Sequence, residues 1–357
     1  MIIDAHHHLW DPSDRPYPWM DDSVAPLRRR FDTDDLRALT RAAGIDRTIV
    51  VQAAHDPGET EWLLTQPAPV AGVVGWVDLT APDVADRLAA LVDGARPGGA
   101  RPGGARPGGA RPGGARPGGA RPGGARPGGA RPGGAGPGAR GADPGPRLVG
   151  IRHQAHDEPD PGWLAHPEVV RGVRAVAAAG LAFDLLVRSR EHAAALALVD
   201  AVPDGRFVLD HAGKPAIADE PRIPRPRAGE PCAAELRAAA AHPDRGPGDP
   251  GPADAWRSRM RDLAARPNVV VKASGLLTEA GPDWRERPVH RYIRETVEHF
   301  GPDRTMWGSD WPVSTLVADH ATVLATTEAA LADLSPTERD AVFAGTAAST
   351  YLVEHPS

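Results

Sequence analysis

Two histidines, His6 and His8, stand two residues apart in the opening run Ile2 to His8. If that run is a strand, their imidazoles share one face and His7 points to the other. A same-face imidazole pair can ligate a divalent metal or hold a developing oxyanion by hydrogen bonds, and spacing alone leaves both open. Far along the chain, Asp310 ends the apolar run Met306-Trp307-Gly308-Ser309-Asp310, followed by Trp311 and Pro312. A carboxylate beside imidazoles can take a proton from water or bind a metal. His211 closes a similar run, Phe207-Val208-Leu209-Asp210-His211, ahead of Gly213-Lys214-Pro215.

These residues belong to a wider pattern. Asp4, Gln52, Asp78, Arg152, His153, Asp184, Asp210 and Lys272 also fall at or near the C-terminal ends of short apolar runs. Charged groups in such places are costly unless they pair or serve a site, so their convergence on one rim points to catalysis.

The elements that must carry them follow from periodicity. Runs with strand character occur at 2–8, 47–54, 73–79, 148–153, 182–187, 206–211, 269–274 and 304–310. Stretches of helical period lie between them at 34–43, 59–65, 82–94, 168–179, 190–201, 254–266, 289–300 and 319–334, with Gly44, Gly180 and Gly301 as stop signals and Ser335-Pro336-Thr337-Glu338 opening a terminal helix. Alternating βα units of this number predict a (β/α)8 TIM barrel. The absence of Gly-x-Gly-x-x-Gly after the first strand counts against a dinucleotide-binding fold.

Composition separates this folded part from the rest. The chain has 357 residues, of which 40 are Gly and 39 Pro, and 40 residues, Ala95 to Gly134, are eight copies of Ala-Arg-Pro-Gly-Gly. Without the repeat's eight arginines, 33 basic groups face 47 acidic ones, a net charge of −14. A surface of that sign repels phosphate, so a nucleic-acid partner is not expected. The single cysteine, Cys232, excludes an intramolecular disulfide and a cysteine-based zinc site. No apolar run has the length of a membrane helix and the opening residues lack a signal-peptide pattern, so the expectation is a cytoplasmic protein without membrane association. A single barrel is expected over 1–357, with a disordered low-complexity insertion at 95–147, between the third helix and fourth strand, and a Pro-rich loop at 219–254 after the sixth strand. That second segment leaves from the catalytic face of a barrel and the repeat from the opposite one.

The ordered motifs IDAHHHLWDP, VVGWVDL, LVGIRHQ, FDLLVR, FVLDHAGKP, NVVVKASGL and MWGSDWPV resemble the amidohydrolase superfamily. Within it they are similar to the amidohydrolase-related sugar-lactone hydrolases of the L-fuconolactonase and L-rhamnonolactonase type. The resemblance implies a hydrolase of carbohydrate metabolism that opens a lactone or related cyclic ester. It implies Asp310 as the base that activates water, with His6, His8 and His211 orienting that water or polarising the carbonyl. Arg152, His153, Gln52, Trp10, Trp311 and Lys214 are then the substrate-contacting candidates, although Arg152 could instead pair with Asp184. The superfamily's metal ligands are only partly matched, because the fifth strand, Ala182-Phe183-Asp184-Leu185, has no histidine. This leaves either one divalent ion, such as zinc, on His6, His8 and Asp310, or a metal-free mechanism. A homo-oligomer is compatible with the sequence. Two alternatives remain: a zinc-dependent non-oxidative decarboxylase of the same superfamily, and an interaction protein whose Arg-rich repeat binds an acidic partner.

Overall fold

In the computed structural model, residues 1–94, 145–223 and 251–353 are described. Cys232, nearly all of the 95–147 stretch and most of 219–254 lie outside them. The strands are β1 (Ile3–His7), β2 (Arg47–Val51), β3 (Val70–Gly75), β4 (Arg147–His153), β5 (Ala182–Leu185), β6 (Arg206–Leu209), β7 (Val269–Ala273) and β8 (Thr305–Trp307). They form one sheet in sequential order with every neighbouring pair parallel. A parallel bridge between His7 and Trp311 brings the last strand end back to the first. Helices alternate with the strands, so the fold is a (β/α)8 barrel.

The strands are apolar and buried because a parallel barrel covers both of their faces. Outside the barrel, side chains such as Val50, Val73, Phe183 and Phe207 pack among residues from the surrounding helices. Inside, Ile3, Ile49, Val74, Val149, Val208 and Met306 pack against Ala347 and Tyr351 of the terminal helix Thr346–Tyr351. That helix plugs the N-terminal end of the barrel: Arg147 and Arg206, at the starts of β4 and β6, donate to the Leu352 and Thr350 carbonyls. The opposite, C-terminal end is therefore left to the loops that carry the polar residues.

Several expected element bounds shift. The third strand begins and ends earlier than expected, at Val70–Gly75; directly beyond it the Trp76 amide and carbonyl are taken by Thr60 Oγ1 at 2.8 and 3.1 Å, and Asp78 then accepts from the Thr80 amide at 2.9 Å. Asp78 is thus a turn-forming residue whose charge still acts on His153 at the rim. β6 stops at Leu209, since His211 and Ala212 adopt left-handed backbone with φ of 53° and 48°. Arg147 already belongs to β4, and the helix Pro252–Ala264 starts inside the Pro-rich stretch.

Candidate active site

A register shift between Asp4 and His7 interrupts the simple alternation of β1. His6 and His8 nevertheless converge, their Nε2 atoms 3.2 Å apart, while His7 turns away to Thr48 Oγ1 at 2.9 Å. Asp310 enters from the end of β8: its Oδ1 is 3.8 Å from His6 Nε2 and 3.6 Å from His8 Nε2. His211 stacks obliquely on His6, ring centres 4.4 Å apart, and its Nδ1 lies 3.0 Å from Ser274 Oγ. The fit requires a glycine at 275, where a Cβ would come within 2.6 Å of His211 Nδ1 and 3.3 Å of Asp310 Oδ2. All four sequence-derived candidates thus meet at one rim, at the β1/β8 seam.

Beneath them runs a chain of buried charges. Tyr351 donates to both Asp184 oxygens at 2.8 Å. Lys272 Nζ bridges Asp184 at 2.5 Å and Asp210 at 3.0 Å, and touches His6 Nδ1 at 3.3 Å. Arg152 pairs with Asp210 at 3.0 Å, donates to the Gln52 carbonyl, and reaches His6 Nε2 at 3.4 Å. The expected Arg152–Asp184 alternative is therefore replaced by Arg152–Asp210, with Asp184 taken by Lys272. The two carboxylates respond differently. Burial pushes Asp184 up to about 6, whereas for Asp210 burial is outweighed by Lys272 and His6, which hold it well below the usual range.

Burial also lowers His6 and His211 well below the ordinary imidazole value, so both are neutral near pH 7. For Asp310, burial would raise the carboxyl, but the facing His211 and His8 rings outweigh it and keep the group ionised. His8 Nδ1 lies 2.8 Å from the Val51 carbonyl. A carbonyl only accepts, so Nδ1 carries a proton, and in the neutral ring His8 Nε2 presents a lone pair. His6 can settle either way. With its proton on Nδ1, facing Asp210 at 3.3 Å, its Nε2 joins His8 and Asp310 as a third bare acceptor. With the proton on Nε2, it donates to His8.

The first tautomer fits a small divalent ion. The acceptor separations of 3.2, 3.6 and 3.8 Å approach the edges of about 3.3–3.6 Å of a tetrahedron with bonds of about 2.0–2.2 Å. His211 also offers a ligand atom, within 4.8 Å of those of His6 and Asp310.

The remaining candidates are more dispersed. Trp10 is fully buried, its indole donating to the Leu27 and Arg29 carbonyls, and Trp311 packs edge-on against Phe31. Gln52 is buried and donates to the Arg152 carbonyl. Lys214, in left-handed backbone, is held by Glu279 at 2.9 Å. His153 parts from Arg152: its Nδ1 accepts from Trp76 at 3.2 Å and its Nε2 meets Glu158 at 2.7 Å. Its ring lies between those of His55 and Trp163. His55, His153 and Glu158 form a second group with metal-binding side chains. Yet both His153 nitrogens are already engaged, and His55 Nε2 accepts from the Gln154 amide at 3.1 Å, so this group is a hydrogen-bonded wall of the rim. Lys272, expected at the rim, serves as the buried cation beneath it, and Tyr351 joins the site without a signal in the sequence. The isolated lysine in Val269-Val270-Val271-Lys272 marks the first of these, while nothing near Tyr351 points to the second.

Comparison with known proteins fixes the lineage. The family model described as amidohydrolase matches residues 135–353. An L-fucono-1,5-lactonase from Burkholderia ambifaria is 32% identical, covering 99% of this chain and 97% of that protein. The chain belongs to the amidohydrolase family. A second L-fucono-1,5-lactonase, from Burkholderia multivorans, is 31% identical over 99% of this chain and 97% of its own length. The crystal structure of an amidohydrolase from B. multivorans with bound zinc is 30% identical, with a TM-score of 0.70 and coverage of 99% and 100% of the two chains. These full-length amidohydrolase relatives span the His6/His8 strand, which precedes the family-model match. Among the described residues no helix is long and apolar enough to cross a membrane.

Proposed function

We propose that this amidohydrolase opens a sugar lactone, with Asp310 accepting a proton from the attacking water. The observation that carries this reading is an ionised carboxylate, buried against neutral imidazoles at the mouth of a barrel whose full-length relatives include L-fucono-1,5-lactonases. His6 and His211 orient the water, and His8, fixed by the Val51 carbonyl, faces Asp310. The proton held by Asp310 is then available to the departing ring oxygen as the ester bond breaks. Arg152 is packed against the pair Asp210 and Gln52, so its first effect is to hold His6, with the Gln52, Trp10 and Trp311 positions shaping the wall behind it. Lys214 stands nearer the opening and would supply polar contact to the sugar, with the stacked His153 ring as part of the wall.

His6, His8 and Asp310, with His211 adjacent, would hold one zinc ion when a metal is bound, and such an ion would polarise the carbonyl and acidify water. In the metal-free case the imidazoles of the rim would supply the donor to the developing oxyanion, with Arg152, held by Asp210 and the Gln52 carbonyl, fixing His6 from beneath. The substrate is a small molecule in either case, and residues 1–357 act as a single barrel that carries the 95–147 and 219–254 stretches as insertions.

The test is hydrolysis of a panel of aldonolactones followed with a pH indicator, before and after chelation and zinc re-addition. Asp310→Asn is expected to lower kcat by at least about 1,000-fold, and ring opening at the wild-type rate in that variant would remove Asp310 from the mechanism. Full activity in demonstrably zinc-free protein would select the metal-free route.

A further inference from the structure

His6 and His8 come from one side of the β1/β8 seam and Asp310 from the other, so the 3.8 and 3.6 Å between them depend on how the two strands are held together. That seam is irregular. Besides the His7–Trp311 bridge it carries backbone bonds from Asp310 N to the His6 carbonyl at 2.8 Å and from His8 N to the Trp311 carbonyl at 2.7 Å. Gly308 approaches so closely that a Cβ would lie 2.6 Å from the His6 Cβ, and Asp310 is turned into left-handed backbone with φ of 57°. At this turn the Ser309 amide is met by a side chain. Asp4 Oδ1 accepts from Ser309 N at 2.8 Å and from His6 N at 3.2 Å, in full burial. One oxygen thus joins the residue before Asp310 to His6 itself. The second Asp4 oxygen faces His320 Nε2 at 3.6 Å, away from the rim imidazoles.

We propose that Asp4 is a positioning residue: its carboxylate oxygen clamps the His6 and Ser309 amides across the seam and so sets the gap between the β1 imidazoles and Asp310. The clamp rests on the lactone-hydrolysis reading only for its kinetic consequence, since the geometry it controls can be observed directly. A buried amide is satisfied only by an acceptor in the right place, so the requirement is for an oxygen at Oδ1 and not for the negative charge.

Asp4→Asn keeps that oxygen and Asp4→Ala removes it. Expected is a kcat within about threefold of wild type for Asp4→Asn. A fall of about 100-fold, with KM within about threefold, is expected for Asp4→Ala, the scale of an approximately 1 Å misplacement of a reacting group. Leu198→Ala, a cavity on the outer helix His192–Ala201, serves as the control for lost stability. Where Asp4→Ala does not yield folded protein, Asp4→Ser replaces it, because a serine hydroxyl is too short to reach both amides. Crystal structures of the folded variants supply the readout that needs no turnover. The Asp310–His6 and Asp310–His8 separations should widen by more than about 0.5 Å in the Ala or Ser variant and stay put in Asp4→Asn. Unchanged separations, a kcat loss matched by Leu198→Ala at equal loss of Tm, or an Asp4→Asn variant as impaired as Asp4→Ala would overturn the proposal. If the wild type opens no lactone, the lactonase reading fails while the crystallographic separations still decide the role of Asp4.

Discussion

Gly275→Ala perturbs the site in a way whose two components can be separated. The first is backbone strain, because Gly275 has φ of 66°, where an L-residue costs about 1–2 kcal/mol. At roughly 2–4 °C per kcal/mol for a domain of this size, Tm should fall by about 2–8 °C. The second is a collision, since the new Cβ would lie 2.6 Å from His211 Nδ1, and ordinary contact requires a retreat of about 0.8 Å, to 3.4 Å. That retreat breaks the 3.0 Å contact with Ser274 Oγ and swings His211 against His6. A displacement near 1 Å in a reacting group costs about 100-fold in rate. Gly44→Ala provides the matched control, because Gly44 has the same φ of 66° and a methyl added there meets nothing within 4 Å. Both variants should lose similar stability by thermal unfolding, and only Gly275→Ala should lose lactone turnover. Equal turnover in the two, or a full-rate Gly275→Ala enzyme with a similar Tm loss, would refute the claim that His211 must be held in place.

Two further outcomes concern the buried charges. Lys272→Met leaves Asp184 and Asp210 without their shared cation and is expected to destabilise the fold by about 3–5 kcal/mol in urea unfolding; a loss under about 1 kcal/mol would show that the carboxylates do not depend on it. Burial pushes Glu59, whose Oε2 accepts from the Ala53 and Ala54 amides, up to about 7 from 4.5. The unfolded chain therefore releases this proton at lower pH than the folded one, and stability falls as pH rises from about 4.5 to 7, by about 3 kcal/mol. Glu59→Gln, which keeps an oxygen for the two amides, should remove that slope, and parallel stability curves for the two proteins between pH 4.5 and 8 would contradict the assignment.

Much of this architecture was legible in residue order. Strands that must be buried on both faces leave continuous apolar runs, and a polar residue at the end of such a run marks the rim; Asp310, His211 and the His6/His8 pair were all found that way. The run Val73 to Leu79 misleads, because Val77 and Leu79 stay apolar after the strand has ended at Gly75, where Thr60 Oγ1 takes the next amide. Partner choice was less accessible. Arg152 and Asp184 face each other in the β4/β5 register, yet the ammonium of Lys272 reaches Asp184 from β7 and releases Arg152 to Asp210. Such a choice depends on side-chain reach across the barrel, which strand periodicity does not encode. The left-handed turn at His211 and Ala212 is hidden for a similar reason, since an alanine rarely adopts that backbone and tertiary contacts impose it.

The buried charges also explain how an ionised Asp310 can be tolerated at the rim. Asp184 and Asp210 face Lys272 and Arg152 in continuous contact, so the layer beneath the imidazoles is close to neutral when all four are charged. Tyr351 adds hydrogen bonds to Asp184 without adding charge. Neutral His6 and His211 then leave the Asp310 carboxylate as the negative group of the rim cluster. A lone negative charge over a neutral layer favours whatever brings positive charge to it, whether a water proton at the moment of attack or a divalent ion. The position of one proton on His6 separates the two outcomes, because Nδ1 faces Asp210 and Nε2 faces His8. Lys272 and Arg152 lie 3.3 and 3.4 Å from those two nitrogens. The cations that neutralise the buried layer are therefore also the groups placed to choose between them.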